Sequence, residues 1–408
     1  MYELLLIPLF FTIILFLRIR KIKSFDHIGF IYSIWLFASF CGFLYTQTDI
    51  LYQGKGIVKI EAVTYMLLMF YITMQPMEKS CQLTKKNYII NSSQLITWTM
   101  YIIAACSYLP FVENVLHLGS GNTLSTLSDN YGAQEIRNFD ARAHMSWLGA
   151  RLNSVTMLCK YITPILLMNY LSTCKKKKRW ILTGLMMGIF NPAICMFNVG
   201  SRWVAIEDIV FFMFLFFLYK NLFPTKIRHY IQVTFIAIAS IVTLGIASIT
   251  IGRFANTEFT ITEWLYRYIG EGFANFTTDM WYTNHSANGM HIFRNFYDDT
   301  VSRLNDLMGI RMYVFYTYVG DFFADCGFVG CVIVCALLFI LGKKIFSYKN
   351  YSIYNIFAGS MYCKIFLTGF TYIVYINTLT EFITASIFFT LCKVCQKTYL
   401  IKATNHKV

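Results

Sequence analysis

The sequence predicts an all-α protein that crosses a membrane many times. Of its 408 residues 57% are apolar and only 14% are charged. The apolar residues gather in stretches near the length a helix needs to span a bilayer, about 20 residues, and short basic runs separate them. A soluble domain carries about a quarter charged residues, and chains of that class could not cover so much oily surface. A cytosolic enzyme is excluded on this ground. Aromatic residues reach 18%, with 38 Phe and 28 Tyr, which suits lipid-facing helices with rings at the interface.

The net charge of +14 superficially suits a nucleic-acid partner. Placement argues otherwise. Lys21 and Lys23, Lys85 and Lys86, Lys175 to Lys178, and Lys343 and Lys344 sit in short runs between apolar stretches, the mark of cytoplasmic loops under the positive-inside rule. Nucleic acid is therefore not an expected partner; the lipid bilayer is.

In chain order, the first apolar stretch is Tyr2 to Leu17, and its basic flank Arg18-Ile19-Arg20-Lys21-Ile22-Lys23 follows it. A cleavable secretory signal has the opposite order, so the expectation is an anchor with its amino terminus outside. Further spans are expected at about 27–45, 57–75, 89–110, 152–173, 180–199, 203–219, 230–250, 322–341, 352–371 and 373–391. That makes eleven, in one integral membrane domain over 1–408, with the carboxyl terminus inside. The charges agree with this layout. Of 35 basic residues 22 fall in the inner segments, 18 of them lysine, whereas nine of the eleven outer ones are arginine.

Two outer segments, 111–151 and 251–320, are too long for turns, and neither contains a lysine. Long ordered loops are usually functional. Within the second, helix starts are expected at Thr260 or Thr262, with Glu263 close behind, and at Asp299 or Thr300. None of the twelve cysteines lies in either loop, which argues against structural disulfides. Gly184 and Gly188 form a GxxxG, a device that lets two helices approach closely.

The change from lysine inside to arginine outside carries the most information. Orientation alone has no reason to choose arginine, whereas its planar fork grips phosphate oxygens in pairs. The outer arginines include Arg202, Arg253, Arg267, Arg294, Arg303 and Arg311. Two readings stand: they bind an anionic ligand, with lipid-linked phosphate the obvious one, or each pairs with local acids such as Glu258, Glu263, Glu271, Asp279, Asp298, Asp299 and Asp306. Arg202 stands apart between two apolar spans, with Glu207 and Asp208 as available partners, because a cation at that depth is costly unless it meets a partner or a watery cavity. Sixteen aromatics between Ile251 and Gly320, Trp281 among them, alternate with groups such as Asn275, Thr277 and Asn288. Flat apolar faces beside hydrogen-bonding groups suit sugar rings; an interfacial belt or a loop core would look the same. No HExxH, Walker A, DxD or GxGxxG motif is present, and His285 and His291 lack a recurrent ligand spacing. No metal or cofactor is expected.

Three stretches carry a resemblance: Gly200-Ser201-Arg202 between two helices, Arg253 with Tyr266-Arg267-Tyr268-Ile269-Gly270 in the late loop, and Tyr318-Val319-Gly320-Asp321-Phe322-Phe323-Ala324-Asp325-Cys326-Gly327-Phe328-Val329-Gly330 leading into the next span. In these, and in overall layout, the chain resembles the Wzy-type O-antigen or oligosaccharide repeat-unit polymerases. The resemblance implies a GT-C-like polymerase/ligase architecture in a bacterial inner membrane with the site on the periplasmic face. It implies glycan transfer from undecaprenyl pyrophosphate to the terminal sugar hydroxyl of another lipid-linked unit, without a metal. Arg202, Arg253 and Arg267 would then stabilise the leaving pyrophosphate, supported by Arg294, Arg303 and Arg311. Glu271, Asp279, His285, His291 and Asp321 are the candidates for a base near the acceptor hydroxyl, and Asn275 and Trp281 would contact sugar. A chain-length regulator and a flippase are the implied protein partners. An O-antigen ligase and a lipid-linked oligosaccharide flippase are the rival readings.

Overall fold

The computed structural model describes residues 2–48, 57–89, 94–119, 143–174, 177–198, 203–234, 236, 240, 260–283, 285–292, 305–310, 315–373 and 375–405. Among these the secondary structure is helical, apart from one isolated bridge between Tyr88 and Tyr351. The helices are α1 Leu6–Ile22, α2 His27–Thr46, α3 Ile60–Met74, α4 Gln94–Gly119, α5 Trp147–Leu158, α6 Ile162–Thr173, α7 Arg179–Phe197, α8 Trp203–Tyr219, α9 Ile261–Thr278, α10 Thr317–Ile345, α11 Ile353–Thr368 and α12 Tyr375–Asn405. Residues 225–234 are also helical. Five helical stretches among the described residues are long and apolar enough to cross a bilayer: Tyr2–Ile22, His27–Thr46, Gln94–Leu118, Arg179–Phe197 and Thr317–Ile345. Exposed rows such as Leu6, Leu9, Ile13, Phe16 and Leu17 on α1, or Val329, Ile333, Leu337 and Ile340 on α10, are what a lipid-facing surface requires.

Several boundaries differ from expectation. The expected span 152–173 is two helices, broken at Cys159–Tyr161. Pro164 explains the break, because its ring would clash with the carbonyl four residues back and its missing N–H would cost about 3 kcal/mol in a continuous helix. α4 runs on to Gly119 and α5 begins at Trp147, so helices occupy both ends of the 111–151 segment. α10 begins at Thr317 and departs from helical geometry at Gly327, whose φ of 67° and ψ of −171° divide it into two segments. Most of the expected span 230–250, the middle of the first long loop and the helix start at Asp299 or Thr300 lie outside the described residues.

The chain divides into two compact units. The first comprises Met1–Gln82, Glu258–Lys349 and Ala358–Thr378. Its core is organised about Trp35, which is fully buried on α2. Rings from four other helices surround the indole: Phe11 at 5.3 Å, Phe70 at 4.7 Å, Phe273 at 5.8 Å and Tyr318 at 5.8 Å between centroids. Its Nε1–H donates to the Phe366 carbonyl of α11 at 2.6 Å. Each such ring pair contributes about 0.5–1.5 kcal/mol beyond its burial, so one side chain joins six helices. At one end of α1, buried Arg18 donates to Asp26 at 2.6 Å, to Glu78 at 3.1 Å and to the carbonyls of Glu78 and Ser80.

The second unit comprises Leu83–Thr257, Asn350–Phe357 and Leu379–Val408. Here α7 lies against α4 through the GxxxG. A Cβ on Gly184 would fall 2.4 Å from the Ala104 carbonyl oxygen, and one on Gly188 would fall 2.6 Å from Ser107 Oγ. The close approach expected of this motif is present. Beside it runs a ladder of buried amides: Asn114 donates to Asn191 at 2.9 Å, Asn191 donates to Asn153 at 2.6 Å and to Thr156 at 2.7 Å, and Asn198 donates to Asn114. In a low-dielectric bundle such groups must satisfy one another. Four residues after Thr156 of the ladder, Lys160 meets Glu207 at 2.9 Å and Asp208 at 3.3 Å. The acids that the sequence offered as partners for Arg202 thus hold Lys160; Arg202 itself lies outside the described residues.

Candidate functional site

Of the residues expected to form a site, Arg267, Glu271, Asn275, Asp279, Trp281, His285, His291 and Asp321 are described, and all belong to the first unit. Arg202, Arg253, Arg294, Arg303 and Arg311 lie outside the described residues.

The helix carrying Arg267 starts where the sequence placed it. Thr260 caps α9: its hydroxyl accepts the Glu263 amide at 3.3 Å, while the Glu263 carboxylate accepts the Thr260 amide at 2.7 Å. This reciprocal box satisfies two orphan donors. Hydrogen bonds from the Thr260 hydroxyl and amide also hold the Glu263 carboxyl below its ordinary value. α9 then buries Phe273, Ala274, Phe276 and Thr277. Two glycines permit its close seating. A Cβ on Gly270 would sit 2.1 Å from the Gly42 amide nitrogen of α2, and one on Gly272 would sit 2.6 Å from the Phe370 carbonyl oxygen.

This seating fixes Arg267. Its Nε donates to Glu271 Oε2 at 3.1 Å, one turn on, and its guanidinium lies 5.0 Å from the centre of the Trp264 ring. The Glu271 side chain is 8% exposed and that of Arg267 is 32% exposed. A buried carboxylate below and an aromatic face beside it therefore orient a half-exposed guanidinium. Only Nε is engaged among the described residues, so the terminal nitrogens present a free fork.

A second pair forms where α10 begins. His291 Nε2 and Asp321 Oδ1 are 2.8 Å apart and both residues are buried. The other Asp321 oxygen accepts the Ile373 amide at 2.5 Å. One turn along α10, Asp325 accepts the amides of His291 at 2.9 Å and Ile292 at 2.7 Å. Ser286 and the Ala287 amide donate to the carbonyls of Asp325 and Ala324. The 285–292 segment is thus fastened to the first part of α10, just before the Gly327 break. Asp325 was not singled out from sequence, although the Asp321-Phe322-Phe323-Ala324-Asp325 spacing places both acids on one helix face. Trp264, three residues before Arg267, carried the same kind of signal.

The remaining candidates serve different surroundings. Asn275 is buried and donates to the Phe315 carbonyl at 2.9 Å, tying α9 to the approach of α10. Trp281 is half-buried in an aromatic wall with Tyr65, Phe276, Phe323 and Phe328, at 5.4–6.3 Å between centroids. Tyr282, next to it, donates to the Ile57 carbonyl at 2.9 Å and stacks beneath the Lys59 ammonium. His285 is exposed. The structure therefore unites Arg267 with Glu271 and His291 with Asp321, and it places Asn275 and Trp281 in packing. No family model matches the chain, and neither a characterised protein nor a solved structure matches it.

Proposed function

We propose that the chain is a polymerase of lipid-linked oligosaccharide repeat units, acting at the periplasmic face of a bacterial inner membrane. The observation that carries this reading is the state of Arg267, a guanidinium oriented by Glu271 and Trp264 with its terminal nitrogens unengaged among the described residues. A fork held in this way suits the paired oxygens of a diphosphate. The lysine-free 251–320 segment, which the charge rule applied to the sequence sets outside, and the sequence resemblance support the same reading.

In the proposed reaction the bond between the donor's anomeric carbon and the pyrophosphate oxygen breaks. A new bond joins that carbon to the acceptor's terminal sugar oxygen, whose proton passes to a base. Undecaprenyl pyrophosphate departs with the bonding electron pair, and arginine charge in a water-poor site stabilises it. Arg267 is assigned to that anion, together with Arg202 and Arg253 and, in support, Arg294, Arg303 and Arg311. Glu271, which lies against Arg267, is the base assigned here. Asp321 has both oxygens engaged, so with His291 it acts as a positioning residue that holds the 285–292 segment, including exposed His285, in place.

The test is reconstitution of the purified full chain in liposomes with an undecaprenyl-pyrophosphate-linked repeat unit and lipid A core, and with no nucleotide sugar or ATP. Lengthening of the lipid-linked glycan is the expected result. Transfer only to lipid A core would identify a ligase, and movement of an unlengthened glycan across the bilayer would identify a flippase.

A further inference from the structure

The second unit contains a cavity of about 260 Å³ between α7, α8 and the helical residues 225–234. Along one side stand Leu182, Met186 and Phe190 of α7. Their spacing of four puts them on one helix face over about 12 Å. Phe212 of α8 and Ile231 line the opposite side. Among the lining residues Lys177 is the one charged side chain. It donates one bond to the Cys174 carbonyl at 3.1 Å, which leaves further ammonium protons to offer.

The charge around this groove is one-sided. Lys177 and Lys178 precede α7 and Arg179 opens it, and Lys226 and Arg228 lie near the start of the helical residues opposite. No Asp or Glu occurs anywhere in residues 141–206 or 209–257. The two acids between those stretches, Glu207 and Asp208, meet Lys160. The basic end therefore has no nearby acid in sequence to neutralise it, and it adjoins an apolar slot with the length of several methylenes. Anionic headgroups meet basic pockets between helices on the cytoplasmic side of membranes, the side on which the charge rule sets this lysine run.

We infer that this groove is a binding site for an anionic glycerophospholipid of the bilayer, with one acyl chain against α7 and the phosphate on Lys177. The site does not depend on the polymerase reading, since it involves neither Arg267 nor a glycan.

Native mass spectrometry of the full-length protein in non-ionic detergent tests it, with phosphatidylglycerol and phosphatidylcholine of the same chains as probes. Phosphatidylglycerol is expected to stay bound at about tenfold lower concentration than phosphatidylcholine. Lys177→Glu should reduce that preference about fivefold or more, given the loss and reversal of one charge. Met186→Trp, which fills the slot, should weaken retention of both lipids. Thermal melting identifies any variant that fails to fold, and Lys177→Gln and Met186→Phe then replace it. Equal retention of the two lipids, or phosphatidylglycerol adducts unaffected by folded variants of both kinds, would overturn the inference. So would displacement of phosphatidylglycerol by undecaprenyl phosphate at equal concentration, because the slot would then belong to the polyprenyl carrier.

Discussion

Gly270 and Gly42 bring two helix backbones into contact, so close that a Cβ on Gly270 would lie 2.1 Å from the Gly42 amide nitrogen. The obstructing atom is backbone, which cannot swing aside. Gly270→Ala must lift α9 from α2 and carry Arg267 and Glu271 with it. The expected cost is at or above the upper end of the usual range for overpacking, about 1–3 kcal/mol. A fall in the detergent-solubilised melting temperature, with loss of any activity that depends on Arg267, is the outcome to look for.

Asp325 uses both carboxylate oxygens on consecutive backbone amides. Asp325→Asn turns one acceptor into a donor facing a donor, and an unsatisfied buried amide costs about 1–3 kcal/mol. The 285–292 segment should loosen before the rest of the unit does. Limited proteolysis would show new cleavage within that segment in the variant and none in the parent.

Arg18 and Asp26 form a buried pair at 2.6 Å, and Glu78 shares the same guanidinium. Arg18→Met strands the Asp26 carboxylate, a change expected to cost about 3–5 kcal/mol, and adding Asp26→Asn should restore part of it. Burial alone would raise the Asp26 pKa. The Arg18 hydrogen bond, the His27 and Arg18 charges and the Gly29 amide outweigh burial and hold it below the ordinary carboxylate value. Its contribution is therefore complete above the unfolded carboxylate pKa and disappears as pH falls through the lowered folded value. Thermal melting across acid pH should show a shallower decline for Asp26→Asn than for the parent.

Lys160 lies between Glu207 and Asp208 with its ammonium buried. Lys160→Met leaves two carboxylates without their cation, again at about 3–5 kcal/mol. The triple variant Lys160→Met, Glu207→Gln, Asp208→Asn should recover part of that loss. Melting temperatures of the parent, single and triple variants decide the point.

Much of this architecture is legible in sequence for local reasons. Apolar length places the helices, Thr260 and Glu263 mark the start of α9, and Gly184 with Gly188 mark a close crossing. Each of these signals lies within a few residues of the structure it dictates. The break before α6 is also written locally, in Pro164, although the apolar run that suggests a single span continues through it. The left-handed φ of Gly327 has no such local mark, since glycine tolerates either sign. The partners of Lys160 and Asp321 stand 47 and 30 residues away in sequence. Such pairings follow from how helices dock, which hydrophobic patterning does not specify.

The account turns on the open fork of Arg267, and Arg267→Lys tests it most directly. Lysine keeps the charge and loses the planar pair of donors. With the parent and variant reconstituted at equal density and equal melting temperature, the rate of glycan lengthening on undecaprenyl pyrophosphate is the measurement. A fall of about 100-fold, the scale of losing one donor to a developing anion, is the predicted result. Lengthening at the parent rate, with product chains of unchanged size, would contradict it.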